Sequence, residues 1–98
     1  MTERIYLWFL QWNFSEADDI MKEDPDFTEK WNKKRDEIYA KHGVELLYEG
    51  VAYGVVENQV SILKTELDLA EFGEAQTEVI RINRKIINYG RTVSVILS

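Results

Sequence analysis

The chain has no cysteine in its 98 residues. That excludes disulfides, thiolate metal sites and a cysteine nucleophile together, and it fits a reducing compartment. It also lacks a long apolar run. The longest, Ile5 to Leu10, is far short of the ~20 residues a bilayer-spanning helix needs. It is short for a signal-peptide core too, and no small-residue cleavage site follows it. The chain therefore reads as cytoplasmic and complete, with no membrane partner. Positive charge is scarce: 12 Lys and Arg stand against 18 Asp and Glu, for a net charge of −6. Neutralising phosphates requires clustered Lys and Arg, so no nucleic-acid partner is expected. With a single histidine, a three-His metal site is excluded by count. The acidic run Asp18, Asp19, Glu23, Asp24, Asp26 and Glu29 lacks the spacing and central glycine of an EF-hand. It is explained by helix-start acids on a solvated face, and neither a metal nor a cofactor is expected. Low-complexity segments, linkers and solenoid repeats are absent, which leaves one domain over residues 1–98.

What the chain does have is apolar and aromatic bulk: 45% of its residues are hydrophobic and 12% aromatic, enough for a core without staples. The segment Arg4–Trp12 is the most telling. Side chains alternate between faces along a strand. One face here carries Ile5, Leu7, Phe9 and Gln11, the other Tyr6, Trp8, Leu10 and Trp12. Both need covering. Helices can cover one face of a sheet in a domain this small, and the other calls for a partner chain, a ligand or both.

The remaining elements follow from pattern and punctuation. Ser15 with Asp18 predicts a short helix to about Lys22, capped by the Ser15 hydroxyl. Asp24-Pro25 ends it and starts a longer helix over about 25–41, with Asp24 as cap and Pro25 at the first helical position. Lys41-His42-Gly43 stops that helix. Val44–Glu49 reads as a strand with Val44, Leu46 and Tyr48 on one face, interrupted or bulged at Gly50–Gly54. A turn at Glu57-Asn58 leads to a third strand, Gln59–Thr65, so the second and third strands form a hairpin. Asp68, with Glu71 three residues on, caps a helix whose pattern extends toward Ile86 and Ile87, with Gly90 as its stop. Arg91–Leu97 is the last strand.

The order is strand, helix, strand, strand, helix, strand. This is the ferredoxin-like βαββαβ motif: an α+β fold with a four-stranded antiparallel sheet and helices on one face. Right-handed crossovers place the first and third strands centrally. In element order, length and the two-faced first strand the chain resembles the dimeric α/β barrel superfamily, over essentially its whole length. That resemblance implies a homodimer packed sheet to sheet into a barrel. It also implies a site in or near the cleft between sheet and helices. The group includes cofactor-free monooxygenases, haem-degrading enzymes, muconolactone isomerase-like enzymes and YciI-like proteins. The His–Asp pairing of YciI-like members has no counterpart here, since the only histidine is His42.

Candidate site residues follow from chemistry. Tyr6, Trp8 and Trp12 are flat apolar walls carrying an O–H and two N–H groups, suited to a ligand pocket and equally to a dimer core. Tyr53, with Glu57, places a phenol and a carboxylate beside a glycine bend. His42 is the one near-neutral acid–base group, and its place at a helix C-terminus is also explained by the helix dipole. His42 and Glu57 are the catalytic candidates; Tyr6, Trp8, Trp12 and Tyr53 the ligand-binding ones. Three functions fit, with a regulatory amino-acid-binding module of this fold as a fourth, lesser option. The first is a homodimer that binds a small apolar or aromatic molecule, with cofactor-independent monooxygenase- or isomerase-like chemistry within reach. The second is a non-catalytic ligand-sensing or structural dimer. The third is a single-stranded RNA module displaying Tyr6, Trp8 and Trp12 on an open sheet face, which the charge and the missing RNP signature oppose.

Overall fold

The computed structural model describes residues 2–95. Its elements run β1 (Arg4–Trp12), α1 (Phe14–Glu23), α2 (Phe27–His42), β2 (Val44–Val51), β3 (Gln59–Thr65), α3 (Leu69–Arg81) and β4 (Ile87–Val95). The four strands form one antiparallel sheet in the order β2-β3-β1-β4. This is the ferredoxin-like arrangement, with α1 added ahead of α2 and the two-faced strand β1 in the interior. Ile96 and Leu97 of the expected last strand lie outside the described residues.

The helices cover the face of β1 that carries Tyr6, Trp8 and Leu10, all buried with Leu63, Phe72, Val79 and Ile86 in one core. Tyr6 stacks on Phe72 of α3, with ring centroids 4.3 Å apart. Its hydroxyl donates to the Leu67 carbonyl at 2.9 Å. Tyr39 of α2 and Gln76 of α3 are also buried. Burial pushes the Tyr39 phenol up to about 12, and the nearby Gln76 amide pulls the other way although the two do not meet in hydrogen-bond geometry.

The opposite face of the sheet carries Ile5, Leu7 and Phe9 of β1, in register with Val60 and Ile62 of β3 and with Val93 and Val95 of β4. No helix lies over it among the described residues, and Tyr48 on its β2 edge is 72% exposed.

Four boundaries differ from the sequence reading, each for a local reason. Asn13, not Ser15, caps α1, its side chain accepting from the Glu16 N–H at 3.2 Å. Asp26 is the cap residue of α2, so Pro25 precedes the helix instead of opening it. In β2 the register slips between Leu46 and Tyr48. One extra residue reverses the alternation, so Val44 and Leu46 face the helices while Tyr48 turns outward. At the end of the chain α3 stops at Arg81, and β4 already begins at Ile87 with Gly90 inside it. Gly90 is there because the Trp8 indole fills the space a side chain would take. A Cβ at Gly90 would sit 2.6 Å from the ring.

Other expectations held. Gly43 ends α2 with φ of 70°, and Asp68 and Glu71 form a reciprocal capping box on α3.

Because the Trp8 ring cannot yield without repacking the core, Gly90→Ala is expected to destabilise the fold by about 1–3 kcal/mol, the usual cost of overpacking. Urea unfolding followed by tryptophan fluorescence checks it. An unchanged midpoint would mean that the indole is not held against the strand.

Candidate ligand pocket

The bulge in β2 has a second effect. Past it, Glu49 pairs with Ser61 and Val51 with Gln59, so Glu49 and Gln59 both point to the helix side of the sheet. There they meet Arg35, which α2 presents at helical spacing between Trp31 and Tyr39, all three buried. A buried guanidinium needs close acceptors. Arg35 Nη1 donates to Glu49 Oε2 at 2.8 Å, while Nε and Nη2 donate to Asp36 Oδ1 at 3.2 and 3.1 Å. The Gln59 amide is then ordered between two fixed groups: its Nε2 donates to Glu49 Oε2 at 3.3 Å, and its Oε1 accepts from the Trp12 indole N–H. A continuous polar chain results, from Trp12 on β1 through β3 and β2 to α2.

This chain borders a cavity of about 390 Å³ between α1, α2 and the β2–β3 end of the sheet. Its walls are mainly apolar: Trp12, Phe14, Ala17, Met21, Phe27 and Trp31. Trp12 meets Trp31 edge to face at 4.9 Å, and the Arg35 guanidinium lies 5.6 Å over the Trp31 ring. The volume is within the usual range for small-molecule sites, as is the pattern of apolar walls with a few converging polar groups. A wider hollow of about 850 Å³ runs along the outward side of α2 from Pro25 to Ala40. It is bounded by that one segment, is made chiefly by the stems of charged and polar residues and lies open to water, so the smaller cavity is the better candidate.

Asn58 holds the β1 end of the pocket. Its side chain accepts from the Trp12 backbone N–H at 3.0 Å and donates to the Trp12 carbonyl at 3.1 Å. Its own N–H donates to the Leu10 carbonyl at 3.2 Å.

The candidates read from the sequence are scattered over the fold. Trp12 lines the pocket. Tyr6 and Trp8 do not: at 1% and 3% exposure they are core, on the face the helices cover, and that face is closed to base stacking. Tyr53 is 88% exposed in the segment between β2 and β3. His42 lies at another corner, its Nε2 3.0 Å from Glu78 Oε1, with Lys41 bound to the other carboxylate oxygen at 2.9 Å. Lys41 first and His42 second hold the Glu78 carboxyl below the usual carboxylate range. Glu57 is 5% exposed. It accepts from the Tyr89 hydroxyl at 2.8 Å and from Arg91 at 3.0 and 3.1 Å. Arg91 in turn lies 4.6 Å over the Phe9 ring on the open face. Among the described residues no group of three or more His, Asp or Glu converges as a metal site. No helix among them is long and apolar enough to cross a membrane.

Glu49, Gln59 and Asn32 are not read from the sequence as site residues, and Arg35 reads there only as one of the basic residues along the long helix, more simply balancing neighbouring acids than holding an anionic ligand. Arg35 had a readable signal, since it follows Trp31 by four residues on the apolar stripe of α2. Glu49 had none, because the bulge that turns it inward leaves no mark on the alternation.

No protein-family model matches the chain, and no curated protein does. Among solved structures it is similar to a protein of Bacteroides thetaiotaomicron assigned, though not demonstrated, as an antibiotic biosynthesis monooxygenase. The two share 11% identity over 98% of this chain and 90% of that one, with a TM-score of 0.52. It is also similar to a de novo designed protein, Ferredog-Diesel, at 19% identity over 95% of this chain and 84% of that one, with a TM-score of 0.42. At 11% identity the first likeness speaks for the fold. That fold is a ferredoxin-like α+β domain.

The bonds from Arg91 and then Tyr89 lower the Glu57 carboxyl from 4.5 to about 2. A carboxyl depressed in the folded state adds stability above its unfolded value, and that contribution is lost as pH falls through the folded one. Between pH 5 and pH 2, Glu57→Gln should therefore show a shallower decline in urea midpoint than the wild type. Parallel declines would mean that Glu57 is not ionically held.

Proposed function

We propose that the chain works as a homodimer, joined through the open sheet face, that binds a small planar aromatic molecule in the Trp12–Trp31 pocket. The pocket carries this reading: aromatic walls exclude water and hold a flat ring, while Glu49, Asn32 and Arg35 supply polar groups at its edge. The dimer rests on the apolar strip of Ile5, Leu7, Phe9, Val60, Ile62 and Val93. Such a strip is more extensive than single surface apolar residues and marks an interaction site. In a two-fold dimer the same strip serves both subunits.

A monooxygenase- or isomerase-like reaction is supported only by the fold and by the name the Bacteroides protein carries. The pocket itself assembles no nucleophile–base pair, and His42 and Glu57 stand away from it. Binding is accordingly the function the geometry supports best, and any chemistry would draw on the reactivity of the ligand.

Light scattering on a sizing column tests the assembly. Twice the chain mass is expected, falling to one chain mass in Leu7→Glu, whereas a wild-type monomer would remove the dimer. N-phenyl-1-naphthylamine, a neutral aromatic that brightens in apolar surroundings, tests the pocket. Saturable binding at one site per chain is expected, weakened about fivefold or more by Phe14→Glu at the exposed pocket mouth. Absent or unsaturable binding would remove the ligand reading.

A further inference from the structure

Resting on the reading of the Trp12–Trp31 pocket as a ligand site, we infer that Glu49 sets its selectivity: the pocket takes a neutral aromatic molecule carrying an O–H or N–H donor and refuses aromatic acids.

The inference follows from which polar groups around the cavity are already engaged. Asn58 uses both ends of its amide on the Trp12 backbone. Gln59 uses both ends of its amide, on the Trp12 indole and on Glu49. The Thr28 hydroxyl donates to Met21 Sδ at 3.3 Å. Arg35 is the one cation of the lining, and it already faces two carboxylates, Asp36 and Glu49, at 3.1 and 2.8 Å. Its charge is therefore more than balanced before any ligand arrives. An entering carboxylate would lose its water without gaining a free cation, and it would lie close to the Glu49 carboxylate. Like charges brought together in a partly desolvated site repel strongly.

Among the described residues the Trp31 indole N–H also lacks a partner, but it is buried out of reach of water, so what remains open to an entering molecule is an acceptor. Glu49 Oε2 takes the bonds from Arg35 and Gln59. Among the described residues Glu49 Oε1 has no partner. Glu49 lines the cavity with its side chain 36% accessible, and the inference has this oxygen meet a molecule seated against Trp12 and Trp31. An ionised carboxylate only accepts hydrogen bonds, and bonds to it are among the stronger kind. A ring lying against the aromatic walls with a phenolic O–H or an aryl N–H at its edge satisfies it. The Asn32 amide, which can donate or accept, is the second polar contact available in the lining.

The test uses a matched pair of the same ring: 2-naphthol, neutral at pH 7, and 2-naphthoate, an anion. Each displaces N-phenyl-1-naphthylamine from the full chain. The naphthol should bind at least about tenfold tighter than the naphthoate, the order expected when a bond to a charged group is made on one side and like charges meet on the other. In Glu49→Gln the naphthol should weaken about tenfold while the naphthoate gains, because Arg35 then keeps only Asp36, and the preference should collapse. A general loosening of the pocket would weaken both and leave the ratio standing. Naphthoate binding as tightly as naphthol in the wild type overturns the inference, as does an unchanged ratio in Glu49→Gln. If that variant does not fold, the wild-type pair decides alone, with Glu49→Asp as the second variant. Should the naphthylamine bind and the pair not discriminate, only the selectivity falls; should the naphthylamine fail to bind, the pocket reading falls with it.

Discussion

A guanidinium withdrawn from water is tolerated only where carboxylates and other acceptors replace its hydration. Arg35 imposes that condition on one corner of this fold. It sits on the inward side of α2 between Trp31 and Tyr39, where a purely apolar residue would simply have extended the core. Instead β2 must deliver a carboxylate to the helix side, and β3 must deliver an amide to hold that carboxylate in place. The polar chain from Arg35 through Glu49 and Gln59 to Trp12 ties a helix to three strands. Around it the packing is incomplete, and the cavity lies there.

The two faces of β1 divide the molecule's tasks. Tyr6, Trp8 and Leu10 build the core, and Trp12 at the end of the same face reaches the pocket. Ile5, Leu7 and Phe9 form the open strip, with Arg91 lying over Phe9 and fixed by the nearly buried Glu57. A charged pair at the edge of an apolar strip resembles the polar rim that borders association surfaces. Pocket and strip therefore lie on opposite sides of one sheet.

How much of this was legible depended on how local the signal was. The element order, the two-faced strand, the αL glycine after α2 and the capping box of α3 each follow from neighbouring residues, and all were readable. The start of β4 was not. Ile86 and Ile87 continue a helical spacing, and only the packing of Trp8 against Gly90 shows that glycine to be a strand residue and not a stop. Within the site, Trp12 was readable because it ends the aromatic face of β1. Tyr6 and Trp8 belong to the same alternation, yet the helices cover them completely, which depends on where α2 and α3 dock. Glu49 was hidden for the deepest reason: its direction depends on counting residues across a register slip.

That slip gives β2 an unusual tolerance of chain length. Parity along a strand assigns each residue to one side of the sheet, and the extra residue between Leu46 and Tyr48 sends every later β2 residue to the side opposite its regular assignment. Shortening the strand by that one position, Leu47, would remove the bulge and leave the ladder as it is: Tyr48 still opposite Ile62 and turned outward, Glu49 still opposite Ser61 and turned toward Arg35. Insertions and deletions are usually regarded as the business of loops. Here the bulge holds a spare residue within a strand, so relatives of this chain one residue shorter at that point should keep both the carboxylate in the cavity and the aromatic ring on the open face.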